Sequence, residues 1–340
     1  MLWQPQVLPQ THNNTNVPTN RIDGGYGFDS PPLLAPLAES KQPSPRIWLR
    51  SVTQRFHPRK FPARPQKIIP QAFGLPTLPC YYCRLSRVFA IANQKGGVGK
   101  TTTAINLAAS LAANDLRILV IDSDPQGNAT TGLGVAKDPT HPSLYHVLLG
   151  DVPPKDAVLP TEFEGLSLIT ADKNLVGANL ELVPLDAREL RLRQRIADIR
   201  NDYDFILIDC PPALDLLTLN ALLAADAVLV PIQCEFFALE GISELMDTIQ
   251  RVRDAFTHPL EIAGILLTMF DDRTNLTRQV AADLKEFFGD QVFRTVIPRS
   301  VRIAEAPSFG KPILTYDPRS RGAESYIQLA KEILDHEEAR

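Results

Sequence analysis

Residues 92–103 read Ala92-Asn-Gln-Lys-Gly-Gly-Val-Gly-Lys-Thr-Thr-Thr103. An apolar β-run at 88–92 leads into this stretch, and a helical pattern of small and apolar residues at 102–113 leaves it. Glycines at such a junction free backbone N–H groups to cradle phosphates, and the helix N-terminus adds positive potential. Lys100 is spaced to reach β- and γ-phosphates, and the Thr101 hydroxyl to ligate Mg²⁺. The ordinary phosphate-binding loop wants Gly where this chain has Gln94, and it does not demand a second lysine at position 95. The form here, Lys-Gly-Gly-Val-Gly-Lys-Thr-Thr, is the deviant version. Gly96, Gly97, Val98, Gly99, Lys100, Thr101 and Thr102 are the candidate nucleotide-binding residues.

Around this loop the chain alternates strand and helix. Apolar runs at 88–92, 117–121, 166–169, 205–208, 227–231, 262–267 and 292–297 are mostly continuous, as in a parallel sheet covered on both faces. Helical patterns lie at 102–113, 187–200, 216–224, 239–256, 276–287 and 323–335. The expectation is a doubly wound, mostly parallel α/β sheet with helices on both faces. Such folds bind ligands at the carboxyl ends of their strands, where the loop, Asp124 and Asp209 would converge. Asp209 closes the run 205–208, the place of a carboxylate that holds Mg²⁺ or its water; the alternative is a carboxylate capping a turn. Asp122 and Asp124, two residues apart at a strand end, share a face. Asp122 reads equally well as support for Asp124 or as a capping residue. Gln126, Gly127 and Asn128 read as a mobile, switch-like loop.

Residues 95–103, then Val120-Ile-Asp-Ser-Asp-Pro-Gln-Gly-Asn-Ala-Thr-Thr-Gly-Leu-Gly134 and Ile206-Leu-Ile-Asp-Cys-Pro-Pro212, resemble the ParA/Soj-type chromosome-partitioning ATPases. The likeness continues through Gln233-Cys-Glu-Phe-Phe-Ala-Leu-Glu-Gly241, Thr268-Met-Phe-Asp-Asp-Arg-Thr-Asn275 and Ile297-Pro-Arg-Ser-Val-Arg-Ile-Ala-Glu-Ala-Pro-Ser308. It ends in Tyr316-Asp-Pro-Arg-Ser-Arg-Gly-Ala-Glu324 and runs from about Arg87 to the C-terminus. The resemblance implies a P-loop NTPase of deviant Walker A type that takes ATP and Mg²⁺, hydrolyses slowly and dimerises on ATP. It implies that Asp124 positions the attacking water and the Mg²⁺ shell, and that Lys95 reaches across the dimer to the partner's nucleotide. A second lysine used in this way acts like an arginine finger on transition-state charge. Pro298 and Arg299 match the segment along the adenine, and Arg273 and Arg302 match DNA-contacting arginines; the alternative for these arginines is solvated surface charge paired with Asp271, Asp272 or Glu305. A ParB-like centromere-binding protein is the implied stimulating partner.

Related deviant-loop ATPases suggest other outputs. A ParA-like positioner of another cargo, such as a protein compartment, would use the same core. MinD-like regulators end in a basic amphipathic membrane helix, whereas this chain ends in the acidic Leu329-Ala-Lys-Glu-Ile-Leu-Asp-His-Glu-Glu-Ala-Arg340. That ending argues against a membrane and for a cytoplasmic, nucleoid-associated protein. An iron–sulfur cluster shared between subunits is disfavoured, because Cys210 and Cys234 sit in apolar strand-end contexts and read as small buried residues. A non-hydrolysing scaffold is disfavoured by the presence of Lys95, Lys100, Asp124 and Asp209 together.

Charge is unevenly spread. The 340-residue chain totals −4, yet residues 1–84 hold ten Lys and Arg against three Asp and Glu, a balance of +7 that leaves −11 for the rest. Close to half of the 29 prolines also fall there. This first segment shows neither helical nor strand periodicity and reads as a Pro-rich, basic, disordered extension preceding an ATPase domain at 85–340. Two explanations compete: a basic tail that aids nucleic-acid binding, or a mis-called start, with the true one near Leu85 or Val88. Cys80-x-x-Cys83 has metal or redox spacing, but no second pair completes a zinc site. No disulfide framework is indicated, and no run approaches the roughly 18 apolar residues of a membrane helix. An acidic core repels DNA in bulk, so DNA binding has to be local.

Overall fold

The computed structural model describes residues 86–340. The expectations for residues 1–84, Cys80-x-x-Cys83 included, lie outside the described residues. Eight strands form one sheet: β1 (Arg87–Ile91), β2 (Ile118–Asp122), β3 (Val158–Pro160), β4 (Leu166–Ile169), β5 (Phe205–Asp209), β6 (Ala227–Gln233), β7 (Glu261–Phe270) and β8 (Val292–Pro298). Their spatial order is β3-β4-β2-β5-β1-β6-β7-β8. All neighbours pair in parallel except β3 with β4. From β1 the chain first builds one half of the sheet, returns through β5, and then builds the other half from β6. The switch in direction therefore flanks β1, which carries the glycine-rich loop at its carboxyl end.

Five longer helices cover the sheet: α1 (Lys100–Ala112), α2 (Leu216–Ala224), α3 (Ala238–Phe256), α4 (Asn275–Phe288) and α5 (Arg321–Glu338). Strand residues divide by parity between two cores. Val88, Ala90, Leu119, Ile121, Ile206 and Ile208 pack with α2, α3 and α4 on one face. Phe89, Ile91, Ile118, Val120, Phe205 and Leu207 pack with α1 and α5 on the other. This is the doubly wound arrangement that the continuous apolar runs predict.

Element starts are set by local chemistry. Asp215, Thr274 and Ser320 cap α2, α4 and α5, each side chain accepting a backbone N–H three residues on. Two predicted features differ. The helix expected over 187–200 is broken: 3₁₀ turns at Arg188–Leu190 and Arg200–Asp202 flank a short helix, Arg191–Ile196. Asn220 of α2 is the reason, because it accepts from Leu192 N at 3.0 Å and donates to Arg188 O at 2.8 Å, drawing those backbone groups sideways. The loop expected at 126–128 is a tight turn running into a short helix, Asn128–Gly132.

That short helix leads to a close approach. Gly134 and Gly310, both at positive φ, face each other so tightly that a Cβ on Gly134 would lie 2.8 Å from Gly310 O. One on Gly310 would lie 2.6 Å from Gly134 Cα. The segment after β2 and the segment after β8 are thereby packed backbone against backbone.

Candidate functional site

Asn93 fixes the start of the loop. Its side chain donates to Pro231 O of β6 at 2.8 Å and accepts from Lys95 N at 2.9 Å. Gly97 (φ +75) and Gly99 (φ +88) then turn the chain through left-handed conformations, which side-chain-bearing residues adopt at a cost. Thr268 Oγ1 of β7 donates to Val98 O at 2.8 Å and holds the middle of the loop. Gly99 is the N-cap of α1 and offers no side-chain cap. The first N–H groups of α1 therefore stay available to a ligand.

Lys100 is almost buried, 7 % exposed, and its ammonium donates to Lys95 O at 3.1 Å. Burial lowers its pKa, while Asp209 and, more weakly, Cys210 and Asp124 raise it. Asp122 and Asp209 are register partners at the ends of β2 and β5, and both are fully buried. Asp122 accepts from Thr130 N at 2.8 Å, Thr130 Oγ1 at 2.7 Å and Asp124 N at 3.3 Å. Its pKa nevertheless rises to about 6, because burial outweighs those bonds. These bonds serve both readings left open by sequence: Asp122 holds the backbone of Asp124, and it ties the helix at Asn128–Gly132 to the strand end. Asp209 differs. The Thr101 hydroxyl is near enough to favour its charged form slightly, yet neither carboxylate oxygen receives a hydrogen bond of good geometry. Burial, then Asp122 and Asp124, push its pKa well above the usual carboxylate range.

A fully buried carboxylate with both oxygens unpartnered, facing a buried lysine and the Thr101 hydroxyl, is a donor set that fits a hard divalent cation. Among the described residues no three His, Cys, Asp or Glu side chains gather into a self-sufficient metal site. Mg²⁺ held by Thr101 and Asp209 would thus take further ligands from phosphate and water, as the ion does beside nucleotides. Asp124 stands at the same edge, half-buried, with Oδ1 accepting from Gln126 N at 2.9 Å and its carbonyl from Gly127 N at 2.8 Å. Lys137, which sequence reasoning passed over, donates to Gln126 O at 2.5 Å and pins this turn from outside.

Lys95 does not stand free in the single chain: its ammonium pairs with Glu235 Oε2 at 2.5 Å. In sequence Glu235 is marked only as a lone acid after an apolar strand end. Phe236 and Phe237 follow it, 69 % and 62 % exposed, and Leu214, beyond β5, is also exposed. Pro298 ends β8 opposite Phe270, and Arg299 N donates to Phe270 O at 3.1 Å. Both arginines matched to DNA contacts follow neighbouring strands, β7 and β8, on this edge, and both are engaged. Arg273 forks onto Asp271, Nε to Oδ1 at 2.8 Å and Nη2 to Oδ2 at 2.6 Å. This fork holds the Asp271 pKa down at about 2. Arg302 lies 3.4 Å from Glu305 and 3.7 Å from Asp317. Cys210 and Cys234 are buried free thiols, as expected, and burial pushes the Cys234 thiol up to about 11.

The described chain matches the AAA domain family over residues 86–262. It is 54% identical to the chromosome partitioning protein ParA of Caulobacter vibrioides over 256 residues, 75% of this chain and 96% of that protein. It is 52% identical to the sporulation initiation inhibitor protein Soj of Bacillus subtilis over 249 residues, 73% of this chain and 98% of that one. Among solved structures, a cobyrinic acid a,c-diamide synthase from Mycobacterium smegmatis with bound ADP and magnesium superposes with TM-score 0.66 at 38% identity, covering 75% of this chain and 96% of that one. The Cyanothece McdA(D38A)–ATP complex superposes with TM-score 0.68 at 25% identity, covering 74% and 97%.

Proposed function

We propose, for a chain that belongs to the ParA/Soj family of chromosome-partitioning ATPases, a working cycle in which its ATP-dependent partition function runs through a dimer on DNA. The chain is an ATP hydrolase of P-loop fold that uses ATP with Mg²⁺. The observation that carries the site assignment is the unpartnered, buried Asp209 carboxylate set against Lys100 and Thr101. Gly96 to Thr102 bind the phosphates through backbone N–H groups, and Lys100 neutralises the β/γ-phosphates. Thr101 and Asp209 hold Mg²⁺. Asp124 orients the attacking water and the metal's water shell, which its half-exposed place on the same edge supports. Pro298 and Arg299 line the base.

Lys95 leaves Glu235 and reaches the nucleotide of a second copy, adding positive charge where the transferred phosphoryl group gains negative charge. Exposed Leu214, Phe236 and Phe237 supply apolar surface for that copy. In the dimer Arg273 and Arg302 contact DNA phosphates without regard to sequence. A ParB-like partner accelerates hydrolysis and resets the cycle. No helix among the described residues is long and apolar enough to cross a membrane. Similarity to chromosome-partitioning proteins supports a cytoplasmic, nucleoid-associated place. Identity of 47–54% to chromosome-partitioning proteins, against 25–26% to McdA and 28–30% to MinD proteins, favours chromosome cargo over a compartment or a membrane.

The test separates binding from chemistry. Lys100→Ala is expected to lose ATP binding by at least about a hundredfold, since the buried cation at the loop is gone. Asp124→Ala is expected to bind ATP and form a persistent dimer while hydrolysis stops. Equilibrium binding of labelled ATP, light scattering and phosphate release read the three steps. Hydrolysis at the normal rate by Asp124→Ala removes its assigned role.

A further inference from the structure

Each arginine assigned above to phosphate already has acidic partners in its own chain. Arg273 is 83 % exposed at its side chain, yet both of its forward N–H groups are spent on Asp271 in a two-pronged pair. Asp271 is held in turn, accepting from Arg273 N at 3.2 Å. Arg302 stands between Glu305 and Asp317, and Tyr316 OH donates to the same Glu305 oxygen at 3.2 Å, which steadies that carboxylate. Two arginines thus face three carboxylates, so neither offers an unpaired cation in one subunit.

We infer that Asp271, Glu305 and Asp317 are affinity-setting residues for DNA, keeping a single subunit off the duplex by occupying Arg273 and Arg302. The inference rests on the reading of these two arginines as DNA contacts. A phosphate can take either arginine only by replacing a carboxylate already bound to it. Releasing counterions from DNA yields binding free energy in proportion to the phosphates neutralised, and a guanidinium already neutralised by Asp271 contributes little until it exchanges. One patch alone is therefore weak. Two patches held together exchange as a bivalent unit, at high effective concentration. The carboxylates thereby make DNA binding depend on the nucleotide-driven dimer rather than on the free subunit.

The experiment uses the full chain and non-specific duplex DNA, with ATP and with ADP, across a salt series. Asp271→Asn, Glu305→Gln, Asp317→Asn and the triple variant keep side-chain shape and remove charge. Arg273→Glu and Arg302→Glu are measured in parallel, and ATP-dependent dimerisation is followed in all. The neutral variants are expected to bind severalfold more tightly and to steepen the log–log salt slope by about 0.9 for each phosphate newly contacted. The triple variant is expected to bind DNA measurably in ADP. If the arginine reversals abolish binding while the neutral variants match wild type, the carboxylates do not set affinity and the inference fails alone. Weaker binding by Asp271→Asn also overturns it, since Asp271 would then be orienting the fork for DNA. If the arginine reversals leave DNA binding unchanged, it is the reading of the arginine surface that fails.

Discussion

Asp122 and Asp209 sit side by side in register and are equally buried, yet their chemistry diverges. Asp122 accepts three hydrogen bonds and acts as a peg for the segment after β2. Asp209 accepts none of good geometry. Burial raises both pKa values, and at Asp209 the neighbouring Asp122 carboxylate adds to the rise. In the nucleotide-free chain, folded carboxylates with raised pKa values hold protons that the unfolded chain has released. Their contribution to stability is therefore complete below the ordinary aspartate value, 3.8, and is lost as pH climbs through about 6 for Asp122. Mg²⁺ needs the charged form, so the sign for binding is the reverse: affinity for Mg²⁺ with ATP rises with pH while Asp209 is still protonated. Uptake is expected to release a proton, visible as a buffer-dependent heat in titration calorimetry, and Asp209→Asn is expected to remove that proton. Lys100, Thr101 and Asp209 were legible in sequence because loop spacing and strand end place them without tertiary detail. The Lys95–Glu235 pair was not, because which distant carboxylate a long cationic side chain meets depends on where the chain folds, whereas Arg273–Asp271, two residues apart, is a local pairing that the sequence offered.

At the level of elements, the sheet was readable because strands covered on both faces are built mainly of apolar residues, and seven of the eight strands coincide with the largely apolar runs of the sequence. The eighth, β3, has three residues and a terminal Pro160, too little to stand out from a loop. The helix at Leu216–Ala224 matched its expected bounds, whereas 187–200 did not. Periodicity reports which face is apolar, but not that a neighbour such as Asn220 offers the backbone better partners. The phosphate loop adds a testable distinction between its glycines. Gly96 and Gly97 both have open space around a Cβ, but only Gly97 has positive φ. Gly96→Ala is expected to leave thermal stability unchanged. Gly97→Ala is expected to cost about 1 kcal/mol and to lower ATP affinity as the N–H groups reorient. Melting curves with and without nucleotide compare the two; equal behaviour would mean that the loop is not held to the left-handed turn.

On the scale of the whole molecule, the start of β1 is secured from within residues 86–340. Arg87 pairs with Glu337 at 2.8 Å and Glu261 at 3.1 Å, and Arg340 reaches Glu261 at 2.6 Å. Arg200 donates to Ser86 O at 2.8 Å and to Asp226, which in turn accepts from Val88 N at 2.8 Å. Deleting residues 1–84 is accordingly expected to leave ATP binding, dimerisation and hydrolysis intact, as assayed on the truncated chain. A fall in DNA affinity alone would assign the basic segment to DNA, and loss of ATPase activity would show that the core depends on it.

The Gly134–Gly310 contact bears on how this molecule can change over time. Elsewhere in the core a lost methylene can be made good by a larger neighbour, and sequences drift through such exchanges. Here each missing side chain is answered by backbone, which no second substitution can trim. The two positions are locked separately rather than as an exchangeable pair. Variation around them is free to accumulate, but the junction joining the segment after Asp124 to the one carrying Arg302 has no neutral alternative among the side-chain-bearing residues.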